Sequence, residues 1–350
     1  MSYKILILGA SYGSLLGTKM AMAGHDVDLV CRQATADLIN GEGTEVRIKL
    51  KGESEHRAIF SRDLPGNIGA VTPEAVNPAD YDMIGLAMQE PQYSAPSLRE
   101  LMSRIAKAKV PCLSIMNMPP LPYLKRIPQL KHANLNAAFS DPSIWAEFEP
   151  DLMTLCSPDP QAFRPPEEAA NVLHVGLPTN FKCARFPSAE HNKILDTLEA
   201  DIAAVTLDGN DVPVKLRNFD SLFVPLAKWS MLLTGNYRCV TTGEPRSIRE
   251  AVYDDVELSA SVYAFVFKLA QELGADADDL VPFEKYAKAA ENLLKPSSAA
   301  RAILGGSEQI ERVDKLVQQI SRSLDMHHPE VDATADRVDS RLAENQRKAS

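Results

Sequence analysis

No run of about 18 consecutive uncharged apolar residues occurs in this chain, so hydropathy excludes a membrane-spanning helix. Basic residues are in the minority. Lys and Arg number 37 against 47 Asp and Glu, a net charge of −10. A general nucleic-acid binder needs a basic face, so nucleic acid is not an expected partner. A small anionic ligand stays compatible, because a few local cations suffice for it. Cysteine is sparse and odd in number: Cys31, Cys112, Cys156, Cys183 and Cys239 are scattered, with no C-x-x-C pair. That excludes a disulfide frame and a zinc knuckle, and points to a reducing cytoplasm. The histidines suggest no metal, since His327 and His328 are adjacent and no third ligand stands at helical spacing. The first residues hold no charged segment followed by a long apolar stretch, so a secretory leader is not expected.

The 350 residues are 45% hydrophobic and 24% charged, which excludes disorder over most of the chain and suggests about two domains. Strand and helix patterns alternate through the first part. Lys4–Leu8, Val27–Cys31, Tyr81–Ala87 and Val110–Met116 are short apolar strands. Ser14–Ala23 and Ser97–Lys107 read as helices, and Thr44–Leu50 with Glu55–Phe60 as a hairpin around Gly52. Prolines crowd Ser140–Pro166, which predicts irregular structure there. The α/β rhythm resumes with Asn171–Leu177, a helix near Ala189–Ala203 and a strand near Val212–Leu216. From Phe219 the texture is helical: Phe219–Gly235, Ile248–Leu273, Pro282–Leu294 and Ser307–Leu324, then a charged tail expected to fray. The fold class is thus α/β: an N-terminal Rossmann-type doubly wound sheet (residues 1–217), followed by an all-helical C-terminal domain (residues 218–350).

The first strand runs into Gly9-Ala10-Ser11-Tyr12-Gly13-Ser14, and a helix follows. That is the context of a dinucleotide-phosphate loop: glycine allows the tight turn, and the helix N-terminus offers N–H donors. A strict G-x-G-x-x-G would need glycine at 11 and 14, where serine stands, so Gly13 is a candidate third glycine. Arg32 ends the second strand, where an NAD-binding unit usually carries Asp or Glu. Arginine suits a 2′-phosphate by charge and by planar bidentate bonding, so the expected cofactor is NADPH.

The run from Gly9 to Arg32, with its Ala23-Gly24-His25-Asp26-Val27 turn, resembles the N-terminus of the ketopantoate reductase (2-dehydropantoate 2-reductase) family. The similarity continues through Asp82–Ala87 with Met88-Gln89, Ile115-Met116-Asn117, Leu226-Ala227-Lys228-Trp229 with Asn236, Pro296-Ser297-Ser298 and Ser307-Glu308. It covers nearly the whole chain in order. The resemblance implies NADPH-dependent reduction of a 2-oxo acid, with Met88 and Gln89 on the cofactor. Lys228 would be the general acid, and Asn117 would contact substrate and nicotinamide. Asn236, Ser298 and Glu308 would bind substrate, with Glu311 a rival to Glu308. The chain departs from the family in having Leu86 and Leu232 where polar residues stand, and Met118-Pro119-Pro120 in place of a glycine.

Each of these residues has a plainer reading. Lys228 lies in an apolar helix and could lay its stem along the domain junction. Asn117 could complete a turn before two prolines, and Asn236 could end a helix. Ser298 could N-cap a short helix, and Glu308 could be a first-turn glutamate. Met116, Met118 and the paired prolines suit a substrate bulkier or less polar than ketopantoate. The expected function is NADPH-dependent reduction of a 2-oxo acid or ketone by a cytoplasmic homodimer. The alternatives are an opine-type dehydrogenase acting on an imine and a non-catalytic NADPH-sensing regulator.

Overall fold

The computed structural model describes residues 2–349. The chain forms two compact units. One comprises the chain up to Met88, Gln92–Tyr123 and Ser143–Asp220; the other comprises Gln89–Pro91, Leu124–Pro142 and the chain from Ser221.

The first unit contains β1 (Lys4–Leu8), α1 (Tyr12–Met22), β2 (Asp26–Val30), α2 (Gln33–Glu42), β3 (Glu45–Lys49), β4 (His56–Phe60), β5 (Ile68–Val71), β6 (Met83–Leu86), α3 (Pro96–Ala108) and β7 (Cys112–Ile115). Two single turns follow, α4 (Leu121–Leu124) and α5 (Pro142–Trp145). Then come β8 (Met153–Pro158), β9 (Gln161–Phe163), β10 (Val172–Leu177), β11 (Phe181–Ala184), α6 (Ala189–Ala204), β12 (Thr206–Leu207), β13 (Asn210–Asp211) and β14 (Leu216–Phe219).

Its main sheet has the order β14-β11-β8-β7-β6-β1-β2-β5. The six strands from β8 to β5 are mutually parallel, while β11 runs antiparallel to β8. Read from β5, those six strands follow the doubly wound order 3-2-1-4-5-6, with β1 and β6 at the point where the order reverses. Burial explains the strand type. Ile5 to Leu8 are all fully buried, as a strand covered on both faces requires. Helix α1 is buried from Gly13 through Ala21, so its apolar and small residues pack on every side. A second sheet, β4-β3-β10-β9, turns Val46, Ile48, Ile59, Leu173 and Val175 into the same core.

The structure corrects several sequence expectations. Ser140–Pro166 is not irregular throughout: β8 lies within it and is buried at all six positions. Its prolines punctuate rather than break, Pro150 opening a 3-10 turn and Pro158 closing β8. The expected strand at Val212–Leu216 is a packed loop, with Val214 at φ 68°, and the sheet pairing falls on β14 instead. Helix α2 and strands β5 and β11 carry too little apolar periodicity to stand out in sequence.

The second unit is helical: α7 (Lys228–Met231), α8 (Ile248–Tyr253), α9 (Val256–Glu272), α10 (Phe283–Ala290), α11 (Ser298–Leu304), α12 (Val313–Ser323) and α13 (Pro329–Ala349). The expected helix Ile248–Leu273 is broken at Asp254-Asp255, where the Asp255 carboxylate caps α9 by accepting from the Leu258 amide. The tail is not frayed. Helix α13 buries Val331, Ala335, Val338 and Leu342, and the Asn345 amide donates to the carbonyls of Ile303 and Ser307.

Candidate functional site

Parallel strands bring their carboxyl ends to one edge, and four candidate segments stand there. Gly9 follows β1, Arg32 follows β2, Met88 follows β6 and Asn117 follows β7. Gly9 has φ 106°, and a Cβ there would lie 2.6 Å from the Ala87 carbonyl oxygen. Only glycine fits that turn. At Gly13 a Cβ would lie 2.7 Å from Ile7 Cγ2, so this glycine permits the close approach of helix to sheet. Ser11 occupies the N-cap of α1 without a side-chain capping bond. The Ser14 hydroxyl donates back to the Ala10 carbonyl. The helix N-terminus therefore keeps its amides and positive dipole end directed at the loop, uncovered by a serine hydroxyl. Ala10, Ser11 and Tyr12 are half-buried.

Arg32 is exposed and begins α2 as its N-cap residue. Its guanidinium has no hydrogen bond or ion pair among the described residues. Met88 is half-buried, and its amide donates to the Tyr93 hydroxyl at 3.1 Å, which holds the chain after β6 beside Gly9. Gln89 is exposed and groups with the second unit. Asn117 is half-buried two residues beyond β7, flanked by buried Met116, Met118, Pro119 and Pro120. Leu86, at the end of β6, is fully buried. A residue missed in sequence also reaches this edge: Arg164, just after β9, donates from Nη2 to the Ala10 carbonyl at 2.7 Å. Nothing in Phe163-Arg164-Pro165-Pro166 marks it, because the contact depends on a hairpin 154 residues away along the chain.

In the second unit Lys228 is half-buried and opens α7. The expected continuous helix Phe219–Gly235 is instead a 3-10 turn at Val224–Ala227, the α turn of α7, and a π turn at Leu232–Asn236. The π turn bears on Asn236. In an α-helix, eight residues would carry it about 80° past Lys228. The additional residue of a π turn takes back about 100°, so Asn236 returns to within roughly 20° of the Lys228 direction. Both residues are half-buried, whereas Leu233, Thr234 and Gly235 face the interior. A wedge accounts for the widening: the Tyr286 hydroxyl donates to the Met231 carbonyl at 3.2 Å, and a Cβ at Gly235 would overlap it.

The N-cap of α11 is Ser297, not Ser298. The Ser297 hydroxyl accepts from the Ala300 amide and donates to the Asn236 carbonyl at 2.7 Å. Ser297 is buried and Ser298 exposed. The proline at 296 fixes the extended entry, which sets the cap one residue earlier than expected. Glu308 is exposed and lies ahead of α12, so it is not a first-turn glutamate; its carbonyl accepts from the Gln346 side chain. Glu311 is half-buried, and its carbonyl accepts the Tyr237 hydroxyl at 2.6 Å. Among the described residues no group of three or more His, Cys, Asp or Glu could hold a metal, and no helix is long and apolar enough to cross a membrane.

These features define a doubly wound α/β unit with a glycine turn at the reversal point of its sheet, followed along the chain by a helical unit. No protein-family model and no curated protein matches the chain. Solved structures do match. A protein of Ralstonia solanacearum assigned to the ketopantoate reductases is 16% identical, over 99% of this chain and 99% of its own, with a TM-score of 0.71. The 2-dehydropantoate 2-reductase of Methylococcus capsulatus is 12% identical over 98% and 97%, with a TM-score of 0.68. A D-mandelate dehydrogenase solved with NADH and anilino(oxo)acetate is 14% identical over 98% and 99%, with a TM-score of 0.65. The chain thus has the fold of the ketopantoate reductases and of D-mandelate dehydrogenase along its full length.

Proposed function

We propose that this protein is an NADPH-dependent reductase that converts a 2-oxo acid or ketone into the 2-hydroxy compound. The observation that carries the reading is the glycine loop at the β1/β6 reversal point, with Arg32, which has no partner among the described residues, just past the adjacent strand. The residues suit the cofactor: Gly9 permits backbone approach, the α1 N-terminus faces a pyrophosphate, and Arg32 offers a fork to the 2′-phosphate. When bound, NADPH supplies the hydride. Lys228 would donate a proton to the substrate's carbonyl oxygen, which becomes the hydroxyl. Asn117 donates to the substrate carbonyl and fixes its orientation. Asn236, which shares the direction of Lys228, contributes to holding substrate. Ser297 supports it through its carbonyl.

The substrate is bulkier or less polar than ketopantoate. Leu86 is wholly buried, and Asn117 is flanked in the chain by the buried apolar residues Met116, Met118, Pro119 and Pro120. Leu232 stands where the family resemblance places a polar group. A polar substrate group placed against these apolar side chains loses its hydration without a hydrogen bond in return, which disfavours a small polar substrate. The test is oxidation of NADPH and NADH with 2-dehydropantoate, phenylglyoxylate and branched 2-oxo acids, for wild type and Lys228→Ala. We expect NADPH to be preferred, a bulky oxo acid to give the highest kcat/KM, and Lys228→Ala to lower kcat by about 10²–10⁴ with NADPH affinity retained. A tenfold advantage for dehydropantoate, about 1.4 kcal/mol, would refute the apolar-substrate assignment. Tight NADPH binding without turnover would identify a sensor, and turnover only with an added amine would identify imine reduction.

A further inference from the structure

Arg164 is a half-buried cation with no acid beside it among the described residues. Its one hydrogen bond runs to the Ala10 carbonyl, and among the described residues it forms no ion pair. The titratable group facing it is the Cys31 thiol, which burial keeps protonated. Burial likewise pulls the Arg164 pKa down, and the neighbouring Cys31 offsets the lost hydration only in part. Arg47, on the second sheet, shows the usual solution: it is paired with both Glu45 and Glu168. A guanidinium drawn partly from water and left unpaired is costly, and such sites are completed by an anion. The loop that Arg164 touches is itself an anion cradle, formed by Gly9, the uncapped α1 N-terminus and Gly13.

We propose that Arg164 is a cofactor-binding residue whose guanidinium pairs with the pyrophosphate of a dinucleotide seated on Gly9–Ser14. The inference rests on the reading of that loop as a dinucleotide site, but not on the choice of NADPH over NADH. One N–H is engaged by Ala10, and the remaining donors of the planar fork match two phosphate oxygens. Arg32 lies at the end of β2 and reads the 2′-phosphate. Arg164 is fixed to the loop itself and reads the phosphates that NADH and NADPH share.

Calorimetric titration of wild type, Arg164→Met, Arg164→Gln and Arg32→Ala with NADPH, NADH, ADP-ribose and inorganic pyrophosphate tests this. Arg164→Met is expected to weaken NADPH, NADH and ADP-ribose by a similar factor, about 10- to 100-fold, as for a lost charged hydrogen bond. Arg32→Ala should weaken NADPH alone. Arg164→Gln keeps a donor for the Ala10 carbonyl without the charge. It binds as weakly as Arg164→Met if the cation pairs with phosphate, and as tightly as wild type if Arg164 only braces the loop, which would overturn the proposal. A loss confined to NADPH would also overturn it, by moving the contact to the 2′-phosphate. If wild type ignores both dinucleotides yet binds inorganic pyrophosphate through Arg164, the anion site stands and the reductase reading falls. If it binds none of the four probes, both fall.

Discussion

Lys19 shows how far a single residue can be placed at odds with its chemistry. It sits in the middle of α1, 1% exposed, and its Nζ donates to the Val212 carbonyl at 3.1 Å. Burial, with Lys215 adding like charge, lowers its pKa to about 7. In the unfolded chain a lysine titrates near 10.4. Between those values the unfolded state holds a proton that the native state lacks, so stability rises with pH over that window. Below about pH 7 both states are charged, and the burial penalty is then at its full value. Lys19→Met should therefore melt higher than wild type near pH 6–7, with the two curves converging as pH approaches 10. One kcal/mol corresponds to about 2–4 °C for a unit of this size. Parallel melting curves across pH 6–10 would show that Lys19 stays charged in the fold. The same scale explains what could be read from sequence. Gly9, Gly13 and Arg32 were legible because a strand, a turn and a helix follow one another locally. Arg164, Ser297 and Tyr286 were not, because each acts through a partner distant in the chain, and no periodicity records such a partner.

At the scale of elements, the stretch Val224–Asn236 is the least regular and the most consequential. Sequence gave it a plain helix because its apolar residues are dense enough to satisfy any period. The π turn is imposed from outside, by Tyr286 of α10 lying against Gly235. Gly235→Ala should thus cost about 1–3 kcal/mol, as overpacking does. It should also lower kcat more than it raises KM, because Asn236 loses its shared direction with Lys228. Removing the obstructing hydroxyl in Gly235→Ala/Tyr286→Phe should recover much of both. If the double variant is no better than the single one, the π turn has another cause. Strands β1, β6 and β7 each fell within a predicted apolar run, and β2 lies one residue earlier than the run predicted for it. Strand β8 was hidden by the prolines around it, and β14 by the apolar loop that precedes it. In both cases tertiary burial, not local propensity, decides which residues join the ladder.

Across the whole molecule, the sequence change near Phe219 marks where the second unit gathers most of its chain, but not all of it. Leu124–Pro142 is drawn from within the α/β half, and its turn at Asn136–Ala138 packs against α12. Residues 221–350 expressed alone should accordingly lack cooperative unfolding, and adding a peptide of residues 124–142 in trans should increase their helical circular dichroism. A sharp melt of the isolated fragment would show that the borrowed segment is dispensable. The interleaving also sets a timetable for biosynthesis. Leu130, Leu135, Ala138 and Phe139, all buried in the finished protein, leave the ribosome well before α12 is translated. At about 5–20 residues per second that interval is roughly ten seconds or more. Throughout it the nascent chain displays an apolar strip with no native surface to receive it, which makes this segment the natural point of engagement for a chaperone.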